Sequence, residues 1–193
     1  MKSKIPVDHN QAMEEISLAT EEIYNGSIIN VRRDIVLTGN MKQAFREVVE
    51  HGGGVAVAAL TDKNEMLFVK QFRYPFGEAL IEIPAGKLEK GEDPAKCGLR
   101  ELKEETGAIP SEFFPLTVIY PTVAYCTEKI HIFCARGLRF TKTKFDEDEF
   151  IELIKIPLEK AVEMVENGEI KDAKTVAAIL LTHLKSKPVT RQD

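Results

Sequence analysis

The chain is poor in the residues that build disulfide frameworks and histidine-based metal sites. Its three cysteines, Cys97, Cys126 and Cys134, form no Cys-x-x-Cys pair. This spacing excludes a disulfide-rich secreted scaffold and favours reduced thiols in a cytosolic protein. The four histidines are scattered along the sequence, so we do not expect a zinc site built on histidine.

Long apolar runs and long basic runs are also missing. No apolar run reaches about 18 residues, the length that a membrane-spanning helix needs, and the N-terminus has no apolar signal region. The formal net charge is −5, and without a basic stretch nucleic acid is not expected as the main partner. With 193 residues and a hydrophobic share of 44%, the composition predicts a soluble, cytoplasmic protein of one domain, or one domain with an appendage.

Hydrophobic periodicity predicts a mixed order of strands and helices. Two β-branched strands meet at the turn Asn25-Gly26, and a third strand follows at 41–50. Further strands are predicted at 55–60, 66–72, 80–84, 114–120, 129–134 and 150–156, and helices at 11–18, 158–166 and 173–184. This order is typical of an α/β (α+β) protein in which helices sandwich a mixed sheet, with a small antiparallel sheet at the N-terminus.

A dense group of carboxylates lies within residues 86–108. Asp93 can cap a helix and Pro94 suits its first turn, while Gly107 can end the helix in a left-handed conformation. Three glutamates of this helix share one face, at spacings i, i+3 and i+4: Glu101, Glu104 and Glu105. Carboxylates this close repel one another or recruit a cation, and hard divalent cations such as Mg²⁺ prefer oxygen ligands.

The rest of the predicted helix supports these glutamates. Arg100 precedes Glu104 by four residues, so the two side chains can pair and the carboxylate is held in place. Four residues of a roughly opposite face are expected to pack on the core: Ala95, Leu99, Leu102 and Thr106.

Seven residues of this stretch have the spacing of a known motif: Gly86, Glu92, Arg100, Glu101, Glu104, Glu105 and Gly107. They resemble the Nudix box, G-x5-E-x7-R-E-U-x-E-E-x-G-U, in which U is a bulky aliphatic residue and Ala108 is a small substitute at the last position. A chance match to so many specified residues is rare. The resemblance implies an enzyme that hydrolyses a nucleoside diphosphate linked to another group.

The resemblance extends over about residues 21–185 to one branch of Nudix hydrolases, the ADP-ribose pyrophosphatases and nucleoside diphosphate sugar hydrolases. The segments that carry it are 22–26, 46–51, 70–75, 81–86 and 168–175. It implies the Nudix fold and a homodimer whose N-terminal sheet is exchanged or packed across the twofold axis. We expect residues 1–50 to form this sheet region for dimerisation and the substrate pocket, 51–185 the catalytic domain, and 186–193 a polar tail.

The same resemblance implies a set of site residues. Mg²⁺, or Mn²⁺ in its place, would be bound by the main-chain carbonyl of Ala85 and by Glu101 and Glu105, with Glu104 as a further ligand or bridge. Glu104 and Arg100 are then also part of the catalytic group. The residues expected to contact a small nucleotide-sugar substrate are Arg46, Arg73, Glu82, Tyr24 and Glu128. A guanidinium suits a diphosphate or a sugar hydroxyl because its donors form a planar fork.

A run of four acids at 146–149 lies where this branch carries a late catalytic glutamate. Glu149 is the first candidate for the base that deprotonates the attacking water, and Glu147 is the second. Near a metal ion such a glutamate keeps a low pKa, so its role could instead be metal ligation or orientation of the water.

One segment departs from the branch. After the box, many members carry Ser-Pro-Gly-Phe-Thr-Asp-Glu, where this chain has residues 122–128 with Val123 for the proline and Ala124 for the glycine. This loop is near the terminal sugar, so the choice between ADP-ribose, GDP-mannose and other nucleotide sugars stays open. Two other classes are alternatives: a Nudix enzyme that removes nucleoside triphosphates, and a Nudix module that senses a nucleotide sugar without catalysis.

Overall fold

The computed structural model describes residues 13–141 and 152–186. Twelve strands and three helices lie within these two ranges. Its contacts divide the chain into two compact units, one formed by Met1–Gly52 with Thr122–Glu128 and the other by Gly53–Pro121 with Lys129–Asp193.

The first unit contains a three-stranded antiparallel sheet in the order β1-β2-β3. The strands are β1 (Ile16–Asn25), β2 (Ile29–Leu37) and β3 (Gln43–His51). Asn25-Gly26 forms the predicted turn, where the Gly26 N–H donates to the Ile29 carbonyl at 3.1 Å. The helix predicted at 11–18 is wrong from Ile16 onward, because Ile16 pairs with Leu37 and the ladder to β2 overrides the local helical pattern.

Residues 122–128 belong to this unit through main-chain bonds to β3. The Val49 N–H donates to the Tyr125 carbonyl at 2.7 Å, and the Thr127 N–H donates to the Val49 carbonyl at 2.9 Å. The loop in which this chain departs from its branch is therefore fixed to the N-terminal sheet by its backbone.

The second unit is built on a four-stranded mixed sheet and a three-stranded antiparallel sheet. The four-stranded sheet has the order β7 (Ala85–Lys87), β4 (Gly54–Ala59), β10 (Ile130–Arg136) and β9 (Glu112–Ile119), with β4 and β10 parallel. The other sheet has the order β12 (Glu152–Pro157), β5 (Glu65–Arg73) and β6 (Glu78–Glu82). A short pair joins β8 (Ala108–Ile109) to β11 (Arg139–Phe140).

Helices cover both faces of strand β4. The three helices are α1 (Pro94–Thr106), α2 (Leu158–Glu166) and α3 (Ala173–Ser186). Val57 packs in a cluster with Leu102 of α1, while Ala56 and Ala58 pack in a cluster with Ile179 of α3. Burial on both faces explains why β4 is apolar throughout. The predicted fold class, a mixed sheet between helices with a small N-terminal antiparallel sheet, is confirmed.

The buried stripe of α1 differs in part from the predicted one. Leu102 and Thr106 are buried as expected, but Leu99 is 39% exposed. Gly98 is buried instead, and a Cβ at this position would lie 3.0 Å from the ring of Phe113. Because Gly98 has no side chain, α1 can lie close to the ring of Phe113, and Leu99 faces solvent.

In the part of the chain that the structure describes, no helix is long and apolar enough to cross a membrane.

Candidate functional site

Caps at both ends fix the position of α1 and of its glutamates. The Asp93 side chain accepts a hydrogen bond from the Lys96 N–H at 3.0 Å, with Pro94 in the first turn. Gly107 adopts the left-handed conformation with φ 69° and donates its N–H to the Lys103 carbonyl. Both ends are those predicted from the sequence, and each is a local signal of helix start or stop.

Arg100 lies at the centre of a carboxylate cluster. Its Nη1 donates to Glu101 at 2.7 Å and to Glu104 at 3.1 Å, which includes the predicted i, i+4 pair. Its Nε and Nη2 each donate to Glu92 at 3.2 Å. The guanidinium thus balances three carboxylates and orients the two on α1.

The charges of this cluster reinforce one another. Hydrogen bonds from Arg100, and then from the Glu89 N–H, lower the pKa of Glu92 to about 2. The hydrogen bond with Glu92 contributes most to raising the pKa of Arg100 above its ordinary value. Burial, and then the neighbouring Glu92, raise the pKa of the Cys97 thiol to about 12. At neutral pH Glu92 and Arg100 therefore form an ionised pair, while Cys97 stays a neutral, unreactive thiol.

The start of β7 lies directly against the glutamate face of α1. The Ala85 N–H donates to Glu105 Oε2 at 3.1 Å, and Glu105 is only 7% exposed. A Cβ at Gly86 would lie 2.0 Å from the carboxylate of Glu101, so only glycine allows this approach. The fold therefore brings Ala85, Glu101 and Glu105 together, while Glu104 is at the more exposed edge with its side chain 46% exposed.

The donors of this group fit a hard divalent cation by their chemistry. They are carboxylate and main-chain carbonyl oxygens, the ligands that Mg²⁺ and Mn²⁺ prefer. Within residues 13–141 and 152–186, no three side chains of histidine, cysteine, aspartate or glutamate are already gathered as a ligand set. Arg100 donates hydrogen bonds to Glu101 and Glu104. Its guanidinium therefore already balances part of the negative charge that a bound cation would also balance.

A second charged cluster surrounds Glu82 at the end of β6. Arg73 donates two hydrogen bonds to this carboxylate, from Nε at 2.5 Å and from Nη2 at 2.8 Å. Lys174 Nζ donates to the same carboxylate at 2.5 Å and to Asp172 at 3.0 Å. Glu82 is 2% exposed, whereas the Arg73 side chain is 37% exposed. Two residues predicted to contact substrate are thus paired, and Arg73 is the one that reaches solvent.

The pH dependence of stability tests this pairing. Burial acts to raise the pKa of Glu82, but hydrogen bonds and charge from Arg73 and Lys174 outweigh it, so the pKa lies below its ordinary value of 4.5. We expect Glu82→Gln to lower the free energy of unfolding at pH 7 by about 2 kcal/mol, the range of hydrogen bonds to charged groups. A carboxylate with a lowered folded pKa stabilises above its unfolded pKa, so this deficit stays constant down to pH 4.5 and shrinks below it.

Urea denaturation of both proteins over a pH series measures this deficit. Glu163→Gln is the matched control, because the Glu163 side chain is 63% exposed and pairs with the exposed Lys160 at 3.0 Å. A deficit for Glu82→Gln that does not change below pH 4.5 would contradict the assignment of an ionised, doubly paired Glu82.

Three of the predicted substrate residues lie in the first unit. Arg46 is 42% exposed at its side chain and pairs with Glu15, with Nε 2.8 Å from Oε2. Tyr24 is 57% exposed on β1. Glu128 lies 3.5 Å from Nδ1 of His51. The predicted base Glu149 and its alternative Glu147 lie outside the described residues.

Sequence reasoning missed the partners that α3 supplies to this region. Lys174, Asp172 and Thr175 lie in the segment 168–175, which the resemblance includes without assigning a role. Thr175 Oγ1 accepts from the Ile83 N–H at 3.0 Å and donates to Asp172 at 2.5 Å. Ile83 and Thr175 are 92 residues apart, so no local pattern reveals this contact.

Known proteins resemble this chain over most of its length. It is 42% identical over 177 residues to an ADP-ribose pyrophosphatase of Bacillus subtilis (strain 168), covering 91% of this chain and 96% of that protein. It is 39% identical over 174 residues to a methanol dehydrogenase activator of Bacillus methanolicus, covering 89% and 94%. It is 32% identical over 187 residues to a GDP-mannose pyrophosphatase of Escherichia coli (strain K12), covering 90% and 96%.

A solved structure and a family model complete the comparison. A crystal structure of an ADP compounds hydrolase superposes with a TM-score of 0.79 at 19% identity, covering 90% of this chain and 94% of the other, which supports the fold. The model of the NUDIX domain matches residues 50–179, a range that includes the carboxylate helix and the Glu82 cluster. The resemblance seen in the box is confirmed, and this chain belongs to the Nudix family as a Nudix hydrolase.

Proposed function

We propose that this protein hydrolyses the diphosphate bond of ADP-ribose or a related nucleoside diphosphate sugar. The products would be a nucleoside monophosphate and a sugar phosphate. The observation that carries the proposal is the contact of Ala85 and Gly86, at the start of β7, with Glu101 and Glu105. The names of the relatives, ADP-ribose pyrophosphatase and GDP-mannose pyrophosphatase, agree with this reaction class.

We propose that Mg²⁺ is held by the Ala85 carbonyl, Glu101 and Glu105, with Glu104 as a further ligand, and that Mn²⁺ can replace it. When bound, such an ion supplies positive charge that neutralises the diphosphate and the charge that develops on it. Glu105 is held by the Ala85 N–H and Glu101 by Arg100. Both carboxylates are therefore positioned in advance, which lowers the cost of organising the site during the reaction.

Arg73 is the proposed contact for the diphosphate. Glu82 occupies two of its donors, and a guanidinium has five N–H donors. The remaining donors belong to a side chain that is 37% exposed, so they can bind an anionic oxygen. Arg46, Tyr24 and Glu128 are proposed contacts for the rest of the nucleotide sugar, and Glu149, or else Glu147, is the proposed base for the attacking water.

A homodimer through the N-terminal sheet is part of this proposal. Every residue of β1 is exposed in the single chain. Five apolar side chains of the sheet are at least half exposed: Ile16, Leu18, Ile23, Tyr24 and Phe45. Several exposed apolar side chains on one small sheet favour a protein interface at this sheet. Light scattering coupled to size exclusion should give twice the mass of 21.7 kDa, and a mass of one chain would contradict the dimer.

A substrate panel tests the proposed reaction. The protein is incubated with ADP-ribose, GDP-mannose and other nucleotide sugars with Mg²⁺, with Mn²⁺ or with EDTA, and kcat/KM is compared between substrates. We expect turnover of at least one nucleotide sugar that EDTA removes. Val123 and Ala124 stand where the branch has proline and glycine, so GDP-mannose is the main competitor of ADP-ribose. No turnover of any of them by folded protein would refute the proposal.

The name of the relative from Bacillus methanolicus suggests a second assay beside the substrate panel. Because that protein is named a methanol dehydrogenase activator, a methanol dehydrogenase is assayed with and without the present protein. An increase in dehydrogenase rate together with no hydrolysis of nucleotide sugars would favour an activator function over the proposed hydrolysis.

A further inference from the structure

We infer that Lys174 is a positioning residue that holds Arg73 in place for the substrate by acting through Glu82. The inference depends on the proposed function, because it gives Arg73 a diphosphate to bind. Lys174 itself is 11% exposed at its side chain and both of its bonds go to carboxylates, Glu82 and Asp172. Lys174 is therefore the more buried of the two cations that share Glu82, since the Arg73 side chain is 37% exposed.

The geometry around Glu82 divides the carboxylate between two cations. Oε1 accepts from Arg73 Nε, whereas Oε2 accepts from both Arg73 Nη2 and Lys174 Nζ. The paired bonds from Arg73 align the two planar groups, as in other bidentate pairs. The bond from Lys174 gives Oε2 a second donor, which restrains the carboxylate and, through the paired bonds, the guanidinium of Arg73.

The charge balance of the cluster gives Lys174 a second effect. Arg73 and Lys174 carry two positive charges, and Glu82 and Asp172 carry two negative charges. Without Lys174, the buried carboxylate would be balanced by Arg73 alone and the group would carry a net charge of −1. That charge would repel an anionic diphosphate, so the loss of Lys174 weakens substrate binding even if Arg73 stays in position.

Asp172 and Thr175 fix the position of Lys174 at the start of α3. Asp172 accepts from the Thr175 N–H at 3.0 Å, which caps the helix, and also accepts from Lys174. Thr175 Oγ1 in turn accepts from the Ile83 N–H, next to Glu82. The start of α3 and the end of β6 are thus bonded at two adjacent residues, which gives Lys174 a rigid base.

Steady-state kinetics of four proteins test the inference: the wild type, Lys174→Met, Glu82→Gln and the double variant. We expect Lys174→Met to raise KM by about tenfold with kcat within about twofold, because a binding contact is disturbed and the carboxylate helix is not. The double variant should be no worse than Glu82→Gln alone, because Lys174 acts through Glu82. Lys174→Arg keeps the charge and should recover most of the affinity.

Lys171→Met is the matched control, since Lys171 lies in the same segment, its side chain is 61% exposed and it pairs with the exposed Glu78 at 3.4 Å. A second readout does not depend on turnover. In ¹H–¹⁵N spectra, the Nε–H signal of Arg73, identified by its loss in Arg73→Lys, should shift in Lys174→Met and not in Lys171→Met.

The outcomes separate the inference from the proposed function. If the wild type hydrolyses no nucleotide sugar, the proposed function fails and the substrate role of Lys174 fails with it. If the wild type is active but Lys174→Met has the KM and the Arg73 signal of Lys171→Met, the inference alone is overturned. Additive losses in the double variant also overturn it, because Lys174 would then act independently of Glu82.

Discussion

Replacement of Glu105 by glutamine removes catalysis and leaves the fold intact: we expect kcat to fall by at least about a thousandfold, the scale of losing a charged group that acts on the reacting centre. Glu105 is buried beside Ala85 and is one of the proposed metal ligands. Glutamine has the same shape but no charge, and a neutral amide is a poor ligand for a hard divalent cation. The carbonyl oxygen of glutamine can still accept a hydrogen bond from the Ala85 N–H, so the contact between β7 and α1 is kept.

Two measurements separate this effect from unfolding. Urea denaturation should give a free energy of unfolding within about 1 kcal/mol of the wild type, and calorimetric titration with Mn²⁺ should show weaker binding. Glu163→Gln is the matched control, an exposed glutamate on α2 whose replacement should leave both kcat and Mn²⁺ affinity unchanged. Full activity of Glu105→Gln would show that Glu105 is not a ligand of an essential metal ion.

The carboxylate helix could be predicted from the sequence because every signal that defines it is local. Asp93, Pro94 and Gly107 set its limits, and the positions of Glu101 and Glu105 on one face follow from helical spacing. The contact of the Ala85 N–H with Glu105 spans 20 residues, and no periodicity indicates which segment faces the helix. The resemblance to a family implies only that the Ala85 carbonyl and Glu105 bind the same metal ion.

Contacts between distant segments account for what the sequence could not predict. Lys174 reaches Glu82 across 92 residues, and a lysine on a predicted helix start has no feature that identifies a buried partner. Strand β7 has three residues, which is too short for an alternating pattern to show in the sequence. It forms because it pairs with β4. In the same way, Ile16–Asn25 forms a strand because it pairs with β2, although the local pattern of its first residues predicts a helix.

Gly86→Ala is expected to impair catalysis strongly while costing little stability. The backbone of Gly86 pairs with Val55 of β4, so it cannot retreat when a methyl group is added. The new Cβ would lie 2.0 Å from Cδ and Oε1 of Glu101, and this carboxylate is the end of a flexible side chain. Glu101 therefore moves away and loses its bond to Arg100 Nη1, at 2.7 Å in the present structure.

A displaced Glu101 leaves the proposed metal site with one ligand out of place. Displacement of about 1 Å in a positioned group can cost about a hundredfold in rate, so we expect kcat/KM to fall by about that factor and the Mg²⁺ concentration for half-maximal activity to rise. The effect should not add to that of Glu101→Gln, because both changes displace or remove the same carboxylate.

Gly168→Ala is a control in which stability and not activity should change. The φ of Gly168 is +77° and nothing lies within 4 Å of the added Cβ, so the substitution should cost about 1 kcal/mol of stability without changing activity. Wild-type kinetics in Gly86→Ala, at normal Mg²⁺ dependence, would show that Glu101 is not needed where the structure places it.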